Sequence, residues 1–184
     1  GETVAVDVDQ EVVKLLLGKG QWSFPVLQGL QKTPALRPDG SVVEDEGFDP
    51  DSGLFISFEG ARFPAIPAQP TKADAQKAIR TLSEMLCDFK FESPSDRAVL
   101  LAAILTVTLR SLIDGTTPMF FFDGHTPGSG KTLMADLVSL IAFGHDAPRM
   151  TQQRTEEFKK EVLALLIANQ RLCLIDNVTR PLGD

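Results

Sequence analysis

The sequence predicts an α/β fold in which a short parallel sheet is flanked by helices. An apolar run at residues 119–122 leads into a glycine-rich loop, which is followed at once by an apolar pattern of helical period from residue 131 to 143. A second apolar run, at residues 172–175, ends in an acidic residue. Continuous apolar strands that alternate with helices are typical of buried parallel sheets. The helical periods and turn signals upstream predict a helical pair and a small β-hairpin module before this core.

Composition narrows the classes of function. The chain has 184 residues, of which 43% are hydrophobic, so it can bury the core of one domain or of two small ones. A net charge of −7 argues against a surface built to wrap a polyanion, and any contact with nucleic acid must be local. The longest apolar run, residues 98–109, is shorter than the ~20 residues of a bilayer span. We therefore expect no membrane segment and, without an export signal, a cytoplasmic protein.

Residues 1–63 predict a small N-terminal module that contains β-structure. Residues 8–17 could form a short helix. Residues 37–40 and residues 49–53 each have proline at the second position and glycine at the last position, which is typical of tight turns. The second turn precedes an apolar run, so we expect β-hairpins that end near Phe63.

A proline-rich linker and a first helix should follow the module. Three prolines between residues 63 and 70 exclude a central strand or a helix, which makes residues 64–70 a linker. Thr71 with Asp74 three positions later predicts a capping box. The apolar positions of the helix then recur at steps of three and four: Ala75, Ile79, Leu82, Leu86 and Phe89.

A second helix completes a predicted helical pair over residues 71–115. Ser93 with Pro94 and Asp96 is a helix start signal, because proline at the first helical position loses no hydrogen bond. This helix should run to about Ile113, and Gly115 should take the left-handed conformation after it. Residues 116–184 would then form the α/β core.

The glycine-rich loop fits the phosphate-binding Walker A pattern. In that pattern backbone N–H groups surround the phosphates, lysine contacts the β- and γ-phosphates, and a hydroxyl binds magnesium. A Gly-x-Gly-Lys-Thr string should arise by chance in fewer than roughly one chain in a hundred of this length. His125 stands where the pattern has its first glycine, and Gly124 lies one residue early. The nucleotide-binding candidates are Thr126, Pro127, Gly128, Ser129, Gly130, Lys131 and Thr132.

Asp176 is the candidate Walker B carboxylate. It ends an apolar strand 45 positions after Lys131, the order and spacing that a second magnesium ligand requires. The candidates for metal binding are therefore Thr132 and Asp176, and the expected cofactors are ATP and Mg²⁺. The catalytic candidates are Lys131, Asp176 and Asn177. Asn177 stands where many P-loop ATPases have a glutamate, and an amide cannot act as a general base. Either another carboxylate takes this role, or Asn177 only orients water, or hydrolysis is slow.

These motifs resemble the ATPase of phage and mobile-element primase-helicase proteins. The resemblance covers residues 120–132, 155–161, 174–178 and 181–183, and upstream segments at residues 33–40, 47–49 and 88–91. Such proteins are similar to AAA+ and superfamily 3 helicases, in which a ring of subunits couples ATP hydrolysis to movement along DNA. The resemblance implies DNA and further copies of the chain as partners. It assigns Lys131 and Thr132 to the triphosphate and magnesium, and Asp176 to the metal.

The resemblance also implies a P-loop core that is truncated at the C-terminus. In that fold a later strand with a sensor residue lies between the P-loop strand and the Walker B strand, so we expect this chain to be a fragment that is inactive alone. Two alternatives remain open. First, Asn177 is also compatible with a P-loop kinase or a nucleotide-gated switch. Second, the upstream segments are compatible with a non-catalytic adaptor that binds DNA or protein.

Overall fold

The computed structural model describes residues 8–124, 128–153, 155–179 and 181, which form a mixed α/β structure with small sheets. None of the helices among these residues is long and apolar enough to cross a bilayer. The helices are α1 (Gln10–Gly18), α2 (Lys72–Met85), α3 (Pro94–Thr108), α4 (Lys131–Phe143) and α5 (Thr155–Ile167), with a 3₁₀ turn at Arg110–Leu112. The strands are β1 (Gly29–Gln31), β2 (Ala35–Leu36), β3 (Val42–Val43), β4 (Gly47–Asp49), β5 (Leu54–Ile56), β6 (Arg149–Thr151) and β7 (Leu174–Asp176).

Both turn signals in the N-terminal module join antiparallel strands. The first connects β2 to β3 and the second connects β4 to β5. Strand β1 then pairs with β5 in parallel, a long-range contact that no local signal predicts. The alternation of these strands places four apolar side chains in one small core, which is covered by Phe58: Ala35, Val43, Leu54 and Ile56.

An ion pair links the two turns of this module. Arg37 donates to Asp49 Oδ1 at 2.8 Å, and Ser52 donates its hydroxyl to Asp49 Oδ2 at 2.6 Å. Hydrogen bonds from Arg37 and Ser52 lower the pKa of Asp49 from its usual 3.8 to about 2. The carboxylate of Asp49 thus fixes the geometry of both hairpins at once.

The two helix starts are confirmed, and both helices end earlier than predicted. The N-caps Thr71 and Ser93 each form a complete capping box with the aspartate three residues on. Helix α2 ends at Met85 and α3 at Thr108, and each is followed by turns rather than by further α-helix. Helices α3 and α4 pack together around the main core: Leu86, Leu100, Ala103, Ile104 and Val138.

The prediction of a buried strand at residues 119–122 is wrong. The segment forms no strand, and no backbone hydrogen bond joins it to another described residue. Met119 and Phe121 are 60% and 67% exposed, whereas Phe120 and Phe122 pack against the main core. The side chains therefore alternate between the surface and the core, although the segment has no strand partner among the described residues.

A parallel pair of strands, β6 and β7, is connected through α5. The register places Thr151 opposite Asp176. Strand β7 begins at Leu174, two residues later than predicted, and it is half-buried. The order strand, helix, parallel strand is the crossover that α/β folds use. Within residues 116–184, the described part of the predicted parallel sheet therefore consists of two strands.

The N-terminal module docks on the C-terminal end of α4. Gln31 Nε2 and Thr33 Oγ1 donate to the carbonyl of Ala142 at 3.2 Å and 2.9 Å. The backbone N–H of Lys32 donates to the carbonyl of Phe143 at 3.0 Å. The last carbonyls of a helix have no partner within the helix, so these donors satisfy groups that would otherwise be buried unpaired.

Candidate nucleotide-binding site

The described residues of the loop before α4 include two glycines in a left-handed backbone conformation. Gly128 and Gly130 have φ values of +78° and +86°, in the left-handed region that glycine tolerates best. Gly130 is the N-cap of α4, and its carbonyl accepts from Met134 N at 2.9 Å. The positive end of the helix dipole and its free N–H groups are therefore presented at this loop. Thr126 and Pro127, the other predicted cradle residues, lie outside the described residues.

Lys131 folds back over the loop. Its Nζ donates to the carbonyl of Gly124 at 3.0 Å. A Cβ added to Gly124 would lie 2.6 Å from Ser129 Oγ, so a side chain at position 124 would collide with the loop. Gly124 thus permits a close approach across the loop, although it stands one residue early in the motif. The ammonium group of Lys131 can exchange this neutral carbonyl for a phosphate oxygen, which is the stronger partner.

One cleft of about 720 Å³ is lined by four of the predicted site residues, and the described loop residues Gly128, Ser129 and Gly130 are not among its lining residues. It lies between residues 117–123 on one side and residues 171–179 on the other. Lys131 and Thr132 line it from the start of α4, and Asp176 and Asn177 line it from the end of β7. Two halves of the motif that are 45 positions apart in sequence thus share one cavity.

The end of β7 has a tight polar turn. Asn177 has φ +53°, a left-handed conformation that asparagine adopts more readily than most residues. Its backbone N–H donates to Asp176 Oδ1 at 2.9 Å. This bond fixes the carboxylate at the strand end, beside the cleft.

The donor set fits a magnesium ion that is bound together with a nucleotide. Among the described residues, no group of three or more His, Cys, Asp and Glu side chains could hold a metal ion. Mg²⁺ commonly takes only one or two protein oxygens and completes its shell with water and substrate phosphates. The hydroxyl of Thr132 and the carboxylate of Asp176 are oxygens of this kind.

The structure adds residues to the cleft that the motif does not predict. Asp123 lines it and accepts from Gly124 N at 2.7 Å. A sequence signal for Asp123 did exist, namely an acidic residue at the junction of an apolar run and the loop. Arg110 and Arg171 also line the cleft, and no pattern in the sequence distinguishes them from surface arginines.

Arg171 is held by neutral partners. Its guanidinium lies 5.3 Å from the centroid of the Phe143 ring and donates to Gln31 Oε1 at 3.2 Å. Burial, and then the positive charge of Arg110, lower the pKa of Arg171. Arg171 therefore connects the cleft to the N-terminal module.

Comparison with known proteins adds no constraint. No protein-family model, curated protein or solved structure matches this chain. The interpretation of the site therefore depends on the motif residues and on the cleft that they share.

Proposed function

We propose that this chain is the nucleotide-binding part of an ATP-dependent DNA helicase or primase-helicase of a phage or mobile element. The observation that carries the proposal is the shared cleft: Lys131, Thr132 and Asp176 line one cavity at the N-terminus of α4. Each of these residue types in this arrangement has a defined role in phosphoryl transfer.

The proposed chemistry is mainly electrostatic. Loop N–H groups and the ammonium group of Lys131 offset the charge of the β- and γ-phosphates. Thr132 and Asp176 would hold the magnesium ion, whose positive charge would offset the charge that develops on the phosphates. Asn177 can donate a hydrogen bond to a water molecule but cannot take its proton. Coupling to DNA, and assembly into a ring of identical subunits, belong to the same proposal through the resemblance of the motifs.

Magnesium-dependent ATP binding tests the proposal. We expect calorimetry to detect it, and we expect Lys131→Ala to weaken it. A hydrogen bond to a charged group is worth about 1.5–3 kcal/mol, which corresponds to a loss of about 10- to 150-fold in affinity. Lys160→Ala is the matched control, because it removes the same charge from the exposed face of α5. Equal affinities in the two variants would refute the proposal.

The proposed role of Asp176 in magnesium binding can be tested separately from ATP binding itself. Asp176→Asn keeps the shape of the side chain and removes its charge, so it should weaken ATP binding in the presence of magnesium and leave binding in EDTA nearly unchanged. An equal loss under both conditions would assign Asp176 a structural role.

Asn177 supports a second candidate, a nucleotide-gated switch. In this case the chain binds ATP with magnesium, and hydrolysis stays slow because no base is present at this position. Phosphate release by the intact parent protein, measured with and without single-stranded DNA, separates the two candidates, since only the helicase proposal requires DNA to stimulate turnover. Phosphate transfer to a small molecule would instead indicate a kinase.

A further inference from the structure

Phe89 lies against the candidate phosphate loop from outside the motif. It follows α2 in the turn before α3, where Leu86 is 1% exposed and anchors the turn in the main core. The backbone N–H of Phe89 donates to the carbonyl of Leu86 at 3.3 Å. The ring itself packs against the same core. Phe89 is therefore held by the helical pair and not by the loop.

The ring of Phe89 lies on the side of Gly130 where a side chain would project. A Cβ added to Gly130 would lie 3.4 Å from Phe89 Cε1 and 3.6 Å from Cδ1, and no other described residue comes within 4 Å of it. At Gly128 an added Cβ would have nothing within 4 Å among the described residues. Of the two left-handed glycines in the loop, only Gly130 thus has a described side chain within 4 Å of its Cβ position.

Such support matters because glycine is the most flexible residue. Fixing the backbone of one residue costs roughly 1–2 kcal/mol of conformational entropy at 25 °C. A loop that must be ordered when phosphate arrives binds more weakly than one that is already in place. A rigid aromatic ring beside Gly130 removes part of this cost before the ligand binds.

We propose that Phe89 is a positioning residue for phosphate binding, which fixes the loop at Gly130 without contacting the nucleotide. This inference rests on the proposed function and extends it to a residue outside the motif. Because the ring acts on the loop, it should affect binding of any triphosphate, whether or not a nucleobase is attached.

The test compares Mg·ATP with inorganic triphosphate and magnesium by calorimetry, on the wild-type chain and three variants. We expect Phe89→Ala to weaken both ligands by about the same factor, near tenfold, which is the effect of ordering about one residue. Phe89→Leu should restore most of the affinity. Phe91→Ala is the matched control, because Phe91 packs on the same core beside Phe89, with ring centroids 6.4 Å apart, and does not contact Gly130.

A second measurement does not depend on any ligand. Hydrogen exchange of the Met134 amide, which donates to the carbonyl of Gly130 at 2.9 Å, should be faster in Phe89→Ala than in Phe91→Ala, at equal distance from the unfolding midpoint. Loss of ATP affinity alone would show that Phe89 contacts the nucleobase, and equal effects of the two alanine variants would show a general packing role. Either result overturns the inference and leaves the proposed function intact. If the wild type binds neither ligand, the proposed function fails and the inference fails with it.

Discussion

We expect Gly144→Ala to destabilise the chain more than an alanine substitution at a left-handed glycine that has open space around its Cβ position. Gly144 ends α4 with φ +75° and lies beneath the N-terminal module. A Cβ at this position would lie 2.8 Å from Lys32 Cβ and 3.2 Å from Thr33 Cγ2. Two carbon atoms cannot remain 2.8 Å apart, so either the module or the end of α4 must move.

Two costs combine at Gly144. A non-glycine residue in the left-handed region costs roughly 1–2 kcal/mol. Inserting a carbon into a packed contact costs typically about 1–3 kcal/mol. Lys32 cannot retreat freely, because its backbone N–H donates to Phe143 at 3.0 Å. We therefore expect Gly144→Ala to lower the free energy of unfolding by about 2–5 kcal/mol.

Gly115→Ala isolates the first of these costs. Gly115 has φ +84°, and an added Cβ would meet nothing within 4 Å among the described residues. Urea unfolding followed by circular dichroism should give a loss of about 1–2 kcal/mol for this control, with an unchanged dependence on urea concentration. The excess loss in Gly144→Ala measures the contact with the module. If Gly144→Ala costs no more than Gly115→Ala, the module does not pack on α4 as the structure shows.

Two further predictions concern the same module. Thr33→Val removes the hydroxyl that donates to Ala142 and accepts from Gln31, so urea unfolding should show a loss of about 1–3 kcal/mol, and an unchanged stability would contradict this role. Because the pKa of Asp49 is lowered to about 2, its ion pair with Arg37 stabilises the fold fully above pH 4 and loses this effect as pH falls toward 2. Asp49→Asn should remove this part of the acid sensitivity, which unfolding curves between pH 2 and 6 can measure.

Local signals in the sequence predicted local structure well. The capping boxes at Thr71 and Ser93 depend on contacts between residues three positions apart, and both are present. The run at residues 119–122 failed for the opposite reason, since a strand requires a partner that its own sequence does not specify. The segment is apolar because Phe120 and Phe122 pack on the core. Met119 and Phe121, which alternate with them, are exposed.

The residues of the candidate site also differ in whether a local sequence pattern predicts them. Lys131, Thr132 and Asp176 could be predicted to share one site because phosphate binding restricts residue type and spacing, and all three line one cleft, while their roles in binding phosphate and magnesium stay predictions. Phe89 could not, because any apolar residue of a helical pair has the same signature. Gln31 is a further case, since its bond to Ala142 joins residues 111 positions apart. Such contacts follow from the fold, and no short pattern encodes them.

Helix α4 joins the candidate site to the N-terminal module. Its 13 residues span about 20 Å at the usual rise per residue. At one end Phe89 supports Gly130, and at the other Gln31 and Thr33 hold the carbonyl of Ala142. No residue between positions 8 and 63 of the module lines the cleft, yet a site on a rigid element keeps its geometry only if both ends of that element are fixed. Substitutions that remove the bonds of Gln31 and Thr33 to Ala142 should therefore make α4 and the loop before it less ordered. We expect such substitutions to weaken phosphate binding without removing any group that contacts phosphate.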